Sequence, residues 1–220
     1  MSGKVNAPLV ILLHPAFTDH RIFNFQIDAF SQKYRVITVD LIGHGLSQPE
    51  GSKDKIDRSV HYINEILKTE KYKDAHFIGV SVGSLIVQEF RNQYPDKTKS
   101  MTIVGGYDIF DTNKEITNKQ NKTKVGVILR ALFSMKSFRR YSAGLSTFTE
   151  KGELQFYLSA DRYTRKSFAT MSGLSEIGKE QIKDKAMPPS LIMVGEHDIE
   201  LALKSAENWH QNFPHSNFIK

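Results

Sequence analysis

A serine between two glycines is the strongest chemical signal in the chain. Residues 79–83 read Gly-Val-Ser-Val-Gly, directly after an apolar run and directly before a helical pattern over 84–94. A sharp strand-to-helix turn needs small neighbours, and it presents the hydroxyl at a helix N-terminus. Ser81 is then a candidate nucleophile toward an acyl carbon, and the N–H of Val82 would point at the charge that develops on the substrate. The alternative is a purely structural glycine-rich turn.

A second loop could donate a hydrogen bond to the same developing charge. Residues 12–17 read Leu-Leu-His-Pro-Ala-Phe and end an apolar run. Pro15 has no N–H, so the donor would be Ala16, with Phe17 as the next choice. Phe17 and the nearby His20 are also candidates for lining a substrate pocket. The alternative is a tight turn that only ends the strand.

A third motif completes a family pattern. Residues 40–47 read Asp-Leu-Ile-Gly-His-Gly-Leu-Ser after another apolar run. His-Pro-Ala-Phe, this motif and Gly-Val-Ser-Val-Gly, in this order and spacing, resemble the α/β-hydrolase superfamily in its serine-nucleophile, esterase- and lipase-like branch. The resemblance covers about the first 105 residues well and the chain from Pro188 onward moderately. The family's N-terminal hairpin has no counterpart before Leu9, and the segment between the two matching parts fits no family pattern.

The resemblance implies a serine–acid–histidine triad and a lid inserted after the strand that follows the nucleophile helix. The acid maps onto Asp198, in a turn after the apolar run 191–194. Asp108 is the alternative, because some relatives place the acid after the preceding strand. The acid holds an imidazole in the right tautomer and stabilises the cation that forms during proton transfer. His44, in the Gly-His-Gly turn, is implied to be structural.

The histidine of the triad has no clear counterpart. In the family it lies in the loop beyond the last strand, and here that strand, predicted at 217–219, ends just before Lys220. His215 precedes that strand, and about five strand residues would leave it roughly 15 Å from the catalytic edge. His197 and His210 are expected at the surface. We therefore expect the natural chain to continue past Lys220 and to carry the histidine there. Loss of the base would cost on the order of a millionfold in turnover.

Six short, β-branched apolar runs predict the strands that position these residues. They alternate with amphipathic stretches, such as 59–68 and 201–213, whose apolar residues recur at helical spacing. Such alternation predicts an α/β fold in which a mostly parallel sheet of about six strands carries helices on both faces. The runs are 9–13, 36–39, 77–80, 101–104, 191–194 and 218–219.

The pattern loosens between about residues 107 and 185. This stretch is rich in Lys, Asn, Thr and Ser, with amphipathic fragments at 125–133 and 154–158. A structureless loop of that length is uncommon in a compact domain, so we predict a helical lid at 107–185 and a hydrolase core formed by 1–106 and 186–220. The lid's aromatic side chains could line the pocket or form the lid's core, and we expect most of these six in the core: Phe133, Phe138, Tyr141, Phe148, Phe156 and Tyr157.

Composition removes several chemistries. The 220 residues include no cysteine, which excludes disulfides, thiolate metal sites and a cysteine nucleophile. The net charge of +6 is compatible with anionic substrates or a membrane surface, although charge runs are most often solvated faces. No nucleic-acid motif, signal peptide or apolar run of membrane-spanning length is present. We expect a cytoplasmic monomer or homodimer that needs no cofactor or metal, acts on a small molecule, and binds neither nucleic acid nor membrane.

The expected function is hydrolysis of a carboxylic ester or related acyl compound through an acyl-enzyme. A serine at position 81 argues against the superfamily members that attack with an aspartate, the haloalkane dehalogenases and epoxide hydrolases. Two alternatives stay open. One is a carbon–carbon bond hydrolase, lactonase or acyltransferase with the same triad, and the other is a ligand-binding or signalling protein with little turnover, because a fold does not fix a substrate.

Overall fold

One six-stranded parallel sheet organises the chain. The computed structural model describes residues 1–48, 54–109, 130–179 and 187–220. The strand order is β2-β1-β3-β4-β5-β6, and every neighbouring pair is parallel. The predicted sheet is confirmed, with each apolar run in its own strand except that Val194 follows β5. The strands are β1 (Leu9–Leu13), β2 (Arg35–Val39), β3 (Ala75–Val80), β4 (Thr98–Val104), β5 (Ser190–Met193) and β6 (Asn217–Ile219).

Six α-helices and four 3-10 helices have both ends among the described residues, and residues 130–133 are also helical. The α-helices are α1 (Asn24–Ser31), α2 (Ser59–Thr69), α3 (Val82–Gln93), α4 (Met135–Ser146), α5 (Glu150–Ser159) and α6 (Glu200–Asn212). The 3-10 helices are His20–Phe23, Ile56–Arg58, Pro95–Lys97 and Lys166–Glu176. No described helix combines the length and the hydropathy needed to cross a bilayer.

The interior strand β1 shows why the sheet forms. All five of its residues are buried, because it has a strand on each side and helices over each face. Leu9, Ile11 and Leu13 pack with residues of α2, α3 and α6. Val10 and Leu12 point to the opposite face and pack near α1. The predicted arrangement of helices on both faces is therefore confirmed.

The chain between β4 and β5 is largely helical where it is described, at residues 130–179, which we call the insertion. Ser134 and Thr149 begin α4 and α5 as N-caps, since their hydroxyls accept hydrogen bonds from N–H groups three residues later. The lid boundaries at 107 and 185 stay a prediction. Residues 110–129 and 180–186, which include part of the 125–133 fragment, lie outside the described residues.

The aromatic side chains of the insertion divide into buried and exposed groups. Phe138 and Phe156 are buried, and Tyr141 and Tyr157 pack against the same clusters, as expected. The other two, Phe133 and Phe148, are 86% and 78% exposed, so most of the six aromatic side chains, but not all, belong to the core. Phe148 lies in the turn between α4 and α5, where the chain faces solvent.

Candidate active site

Ser81 forms the turn between β3 and α3. Its backbone angles are φ 50° and ψ −114°, outside the regions that residues with a side chain ordinarily adopt. Such a conformation costs about 1–3 kcal/mol and persists only where the surroundings impose it. The Ser81 N–H donates to the Val104 carbonyl at 2.8 Å, and the Ser84 N–H donates to the Ser81 carbonyl at 2.9 Å. The residue is exposed, so its hydroxyl is accessible at the carboxyl edge of the sheet.

The two glycines of the motif are required by close backbone packing. A Cβ on Gly79 would lie 2.5 Å from the carbonyl oxygen of Gly83. A Cβ on Gly83 would lie 2.2 Å from the carbonyl oxygen of Leu13, at the end of β1. The turn is therefore packed on itself and on the start of the loop that carries Ala16.

Two backbone N–H groups are candidate donors to a substrate oxyanion. Val82 is the first residue of α3, so its N–H has no partner within the helix. The Pro15 carbonyl accepts hydrogen bonds from His14 Nδ1 (2.8 Å) and from the Thr18 hydroxyl (3.0 Å). Because a trans peptide points its C=O and N–H in opposite directions, these bonds orient the Ala16 N–H. No described residue accepts a hydrogen bond from that N–H.

His14 and His44 form a buried, neutral pair beneath this loop. The Leu41 N–H donates to His14 Nε2 at 2.9 Å, so His14 carries its proton on Nδ1. The two ring centroids are 5.0 Å apart. Burial lowers the pKa of His14, and it lowers the pKa of His44 to about 3. A histidine that stays neutral and inaccessible agrees with the structural role implied for His44.

Asp198 lies in the turn after β5, across β4 from Ser81. A Cβ on Gly105 would lie 2.9 Å from Asp198 Oδ2, and Gly105 directly follows Val104, the hydrogen-bond partner of Ser81. Two strand spacings amount to about 10 Å. An imidazole with one hydrogen bond of about 3 Å on each side spans a gap of this order. The alternative acid, Asp108, is buried, and its N–H donates to the Ser205 hydroxyl at 2.8 Å.

The described residues do not supply a base to this pair. None of the eight histidines forms a hydrogen bond with Ser81 or with the Asp198 carboxylate within the described part of the chain. His197 stacks on Phe148 at 4.2 Å, and His210 bonds to the Ser216 hydroxyl. His215 is exposed before β6.

The two candidate pocket residues have different surroundings. His20 is held by Asp40, which accepts from its N–H at 2.7 Å and from its Nδ1 at 2.9 Å. Phe17 has a left-handed backbone, with φ 71°, and its ring contacts Phe138 and Tyr163 of the insertion. Whether either side chain touches a substrate stays a prediction.

Sequence reasoning missed Thr18 and Asp19. Thr18 bonds to the Pro15 carbonyl, and Asp19 caps the 3-10 helix that begins at His20 by accepting from the Arg21 N–H at 3.0 Å. Adjacent Thr and Asp residues favour turns and helix caps, and this signal could have found them. The sequence held no corresponding signal for their contacts with distant residues.

Asp19, His20 and Asp40 also lie close enough together to hold a metal ion, with ligand atoms within 4.8 Å of one another. The buried Asp19 carboxylate is already paired with Arg21 at 2.7 Å and lies 3.6 Å from Arg162. These guanidinium groups neutralise the carboxylate and would repel a cation. The arrangement favours a hydrogen-bonded cluster that shapes the loop.

Comparisons with known proteins bear on the fold of the chain. A family model described as the alpha/beta hydrolase fold matches residues 8–126. An uncharacterized carboxylesterase of Bacillus subtilis is 29% identical over 110 residues, half of this chain and 37% of that protein. The 3-oxoadipate enol-lactonase 1 of Acinetobacter baylyi is 34% identical over 87 residues, 39% of this chain and 32% of that protein. The matched stretches thus span about a third of the length of these relatives.

Solved structures resemble nearly the whole chain. A hydrolase from Pseudomonas aeruginosa superposes with a TM-score of 0.78 at 17% identity, covering 100% of this chain and 83% of that one. At this identity the likeness establishes the fold alone. Together with the family model, which covers more than half of the residues, it shows that the chain belongs to the α/β-hydrolase fold family.

Proposed function

We propose that the protein is a serine hydrolase that cleaves a carboxylic ester or related acyl compound through an acyl-enzyme at Ser81. The observation that carries the proposal is the strained backbone of Ser81, at φ 50° and ψ −114°, on an exposed turn between β3 and α3. Strain of this kind is retained where it serves a site. Here it holds the hydroxyl at the N-terminus of α3, and the N–H groups of Val82 and Ala16 are the proposed donors to the oxyanion.

The proposed reaction uses these groups in turn. Ser81 Oγ attacks the acyl carbon while its proton passes to a general base. The N–H groups of Val82 and Ala16 stabilise the oxyanion, which then collapses and expels the alcohol together with that proton. Water attacks the acyl-enzyme in the same way and releases the acid. Asp198 would orient the imidazole that acts as the base and stabilise its cation.

The names of the relatives support acyl chemistry without fixing the substrate. One is called a carboxylesterase and another an enol-lactonase, and both names describe cleavage of an ester linkage. Carbon–carbon bond hydrolysis and acyl transfer use the same nucleophile and stay alternatives. An ester panel graded by acyl length, with lactones and an acyl-acceptor alcohol included, separates these reactions by their products.

A fluorophosphonate probe tests the proposal directly. We expect the natural full-length protein, the wild type in this test, to be labelled at one site and its Ser81→Ala variant to lose the label. Ser146→Ala, which removes an exposed hydroxyl at the end of α4, is the matched control and should be labelled like the wild type. Labelling that survives in Ser81→Ala, or a folded wild type that takes no label, would contradict the proposal.

Binding of an acyl ligand without turnover stays the alternative to hydrolysis. No described histidine bonds to Ser81, and loss of the base in a serine triad lowers turnover on the order of a millionfold. A protein with such a site could bind an acyl ligand without cleaving it. Calorimetric titration with non-hydrolysable ester analogues would then show binding by a protein that the fluorophosphonate does not label.

A further inference from the structure

The loop that carries Ala16 has an unusual backbone at the next residue. Phe17 adopts φ 71°, in the left-handed region that favours glycine. A phenylalanine there is disfavoured by its own backbone sterics, so contacts elsewhere must hold it. The contacts of the Phe17 ring therefore help to fix the backbone geometry of the preceding residue, Ala16.

Those contacts come from the insertion. The Phe17 ring meets Phe138 edge-on at 5.1 Å between centroids and Tyr163 edge-on at 5.2 Å. Phe168 lies 6.0 Å away. Phe138 and Tyr163 are fully buried, so they form a fixed receptor for the ring. Edge-to-face packing of this kind depends on the orientation of the rings, which makes it directional.

A second set of contacts joins the same loop to the insertion. The buried Asp19 carboxylate pairs with Arg21, whose guanidinium also pairs with Asp161 of the insertion. The side-chain amide of Gln155 donates to the Arg21 carbonyl. Along the chain, Ala16 follows the Pro15 carbonyl, which two hydrogen bonds hold in place. It precedes the residues that contact the insertion.

We propose that Phe17 is a positioning residue, which fixes the oxyanion-binding backbone at Ala16 by inserting its ring into the aromatic cluster of Phe138 and Tyr163. The inference rests on the proposed function, since an oxyanion donor matters only if Ser81 attacks an acyl group. It makes the insertion part of the catalytic apparatus.

A pocket-lining role for Phe17 makes a different prediction. A ring that touches the substrate contributes binding energy that grows with the apolar contact, so its loss would act mainly on KM and would vary with acyl length. A ring that positions the Ala16 N–H acts only where the oxyanion develops. Its loss lowers kcat by a similar factor for every acyl length.

The experiment measures kcat and KM of wild type, Phe17→Ala and Phe17→Gly on p-nitrophenyl acetate, butyrate and octanoate, together with thermal unfolding. We expect Phe17→Ala to lower kcat at least tenfold on all three esters with KM within threefold. Phe17→Gly tolerates the left-handed backbone better. Its unfolding temperature should be at least as high as that of Phe17→Ala, whereas its kcat should be no higher. A loss of stability alone does not produce this combination.

Two further variants control the test. Phe25→Ala removes an exposed phenylalanine of α1 and should leave kcat and KM unchanged. Phe138→Leu changes the insertion's surface that the Phe17 ring contacts. It should lower kcat on all three esters with KM within threefold. A kcat within twofold of wild type in Phe17→Ala, or a loss that appears in KM and grows with acyl length, would overturn the inference.

Fluorophosphonate labelling separates failure of this inference from failure of the proposed function. If the wild type shows no Ser81-dependent labelling, the proposed function fails and the inference fails with it. If the wild type is labelled and the Phe17 variants are labelled at the same rate, the inference alone fails. A labelling rate lowered at least tenfold in Phe17→Ala, with Phe25→Ala unchanged, supports both.

Discussion

The sheet core and the insertion differ in how they are stabilised. The described residues outside 130–179 carry 14 basic and 15 acidic side chains, whereas the insertion carries nine basic and four acidic ones. Six of the 13 large apolar side chains that the described structure exposes belong to the insertion, although it is less than a third of those residues. The core buries continuous apolar strands, whereas the insertion exposes more apolar side chains and packs Met171, Leu174 and Ile177 against that core.

The two regions also have different roles at the candidate site. The core holds Ser81, Val82 and Asp198 at the ends of parallel strands, where backbone hydrogen bonds fix their spacing. The insertion contacts the loop of Ala16 and Phe17 through three aromatic rings, an ionic cluster and a hydrogen bond from Gln155 to the Arg21 carbonyl. Substitutions in the core should therefore have large effects, and most substitutions on the insertion's outer surface should have small ones.

The largest expected effect is on the chemistry of the core. Asp198→Asn should lower kcat about 10⁴-fold, as loss of the acid does in other serine triads, with little change in thermal unfolding because the side chain is only partly buried. Steady-state kinetics measure the loss. Glu196→Gln, in the same turn and with a side chain 78% exposed, is the control. A decrease in kcat of less than tenfold in Asp198→Asn would indicate that Asp108, and not Asp198, is the acid of the triad.

The next effect is on the packing of the core. Gly83→Ala should destabilise the fold by about 3 kcal/mol or more, because the new Cβ would meet the backbone of Leu13, which cannot move aside. Denaturant unfolding measures this loss of stability. Gly195→Ala is the matched control, since a Cβ there meets nothing within 4 Å. Equal stability of the two variants would show that the turn is not packed as described.

Acidification should lower the free energy of unfolding, because His14 and His44 are buried as neutral imidazoles. Burial lowers both pKa values, that of His44 to about 3, whereas in the unfolded chain each lies near 6.5. The unfolded state therefore binds more protons, and the free energy of unfolding falls as the pH drops below about 6.5. Between pH 7 and 5 we expect a loss of about 2 kcal/mol for each imidazole that stays neutral.

Urea unfolding at the two pH values measures this loss. His44→Gln removes one titrating group, so its stability should depend less steeply on pH than that of the wild type. A wild-type stability that does not change between pH 7 and 5 would contradict the burial of neutral imidazoles.

The smallest expected effect is in the insertion. Gly144 lies on the exposed side of α4, where a Cβ would meet only the Glu153 side chain at 3.9 Å. Gly144→Ala should stabilise the protein by about 0.5–1 kcal/mol, because alanine favours the helix. Thermal unfolding checks the sign. A destabilised Gly144→Ala would mean that the insertion's outer surface is as tightly packed as the core.

Prediction from sequence succeeded where short-range patterns carry the information. The six apolar runs became six strands, since a strand buried on both faces has to be continuously apolar. The helix at Val82 began two residues before the pattern at 84–94, because the serine turn itself starts it. Which of the insertion's aromatic side chains would be exposed was not predicted, and Phe133 and Phe148 are, since amphipathic fragments do not reveal which face finds a partner.

The sequence by itself determined the family and the identity of the candidate nucleophile. Gly-x-Ser-x-Gly between a strand and a helix leaves few backbone solutions, and glycine is required at both positions by local packing. Only the tertiary structure decided what surrounds Ser81. It brought Asp198 beside Gly105, oriented the Ala16 peptide through His14 and Thr18, and joined that loop to the insertion. These contacts join residues far apart in the chain, and no short-range pattern encodes the direction of a peptide or the partner of a ring.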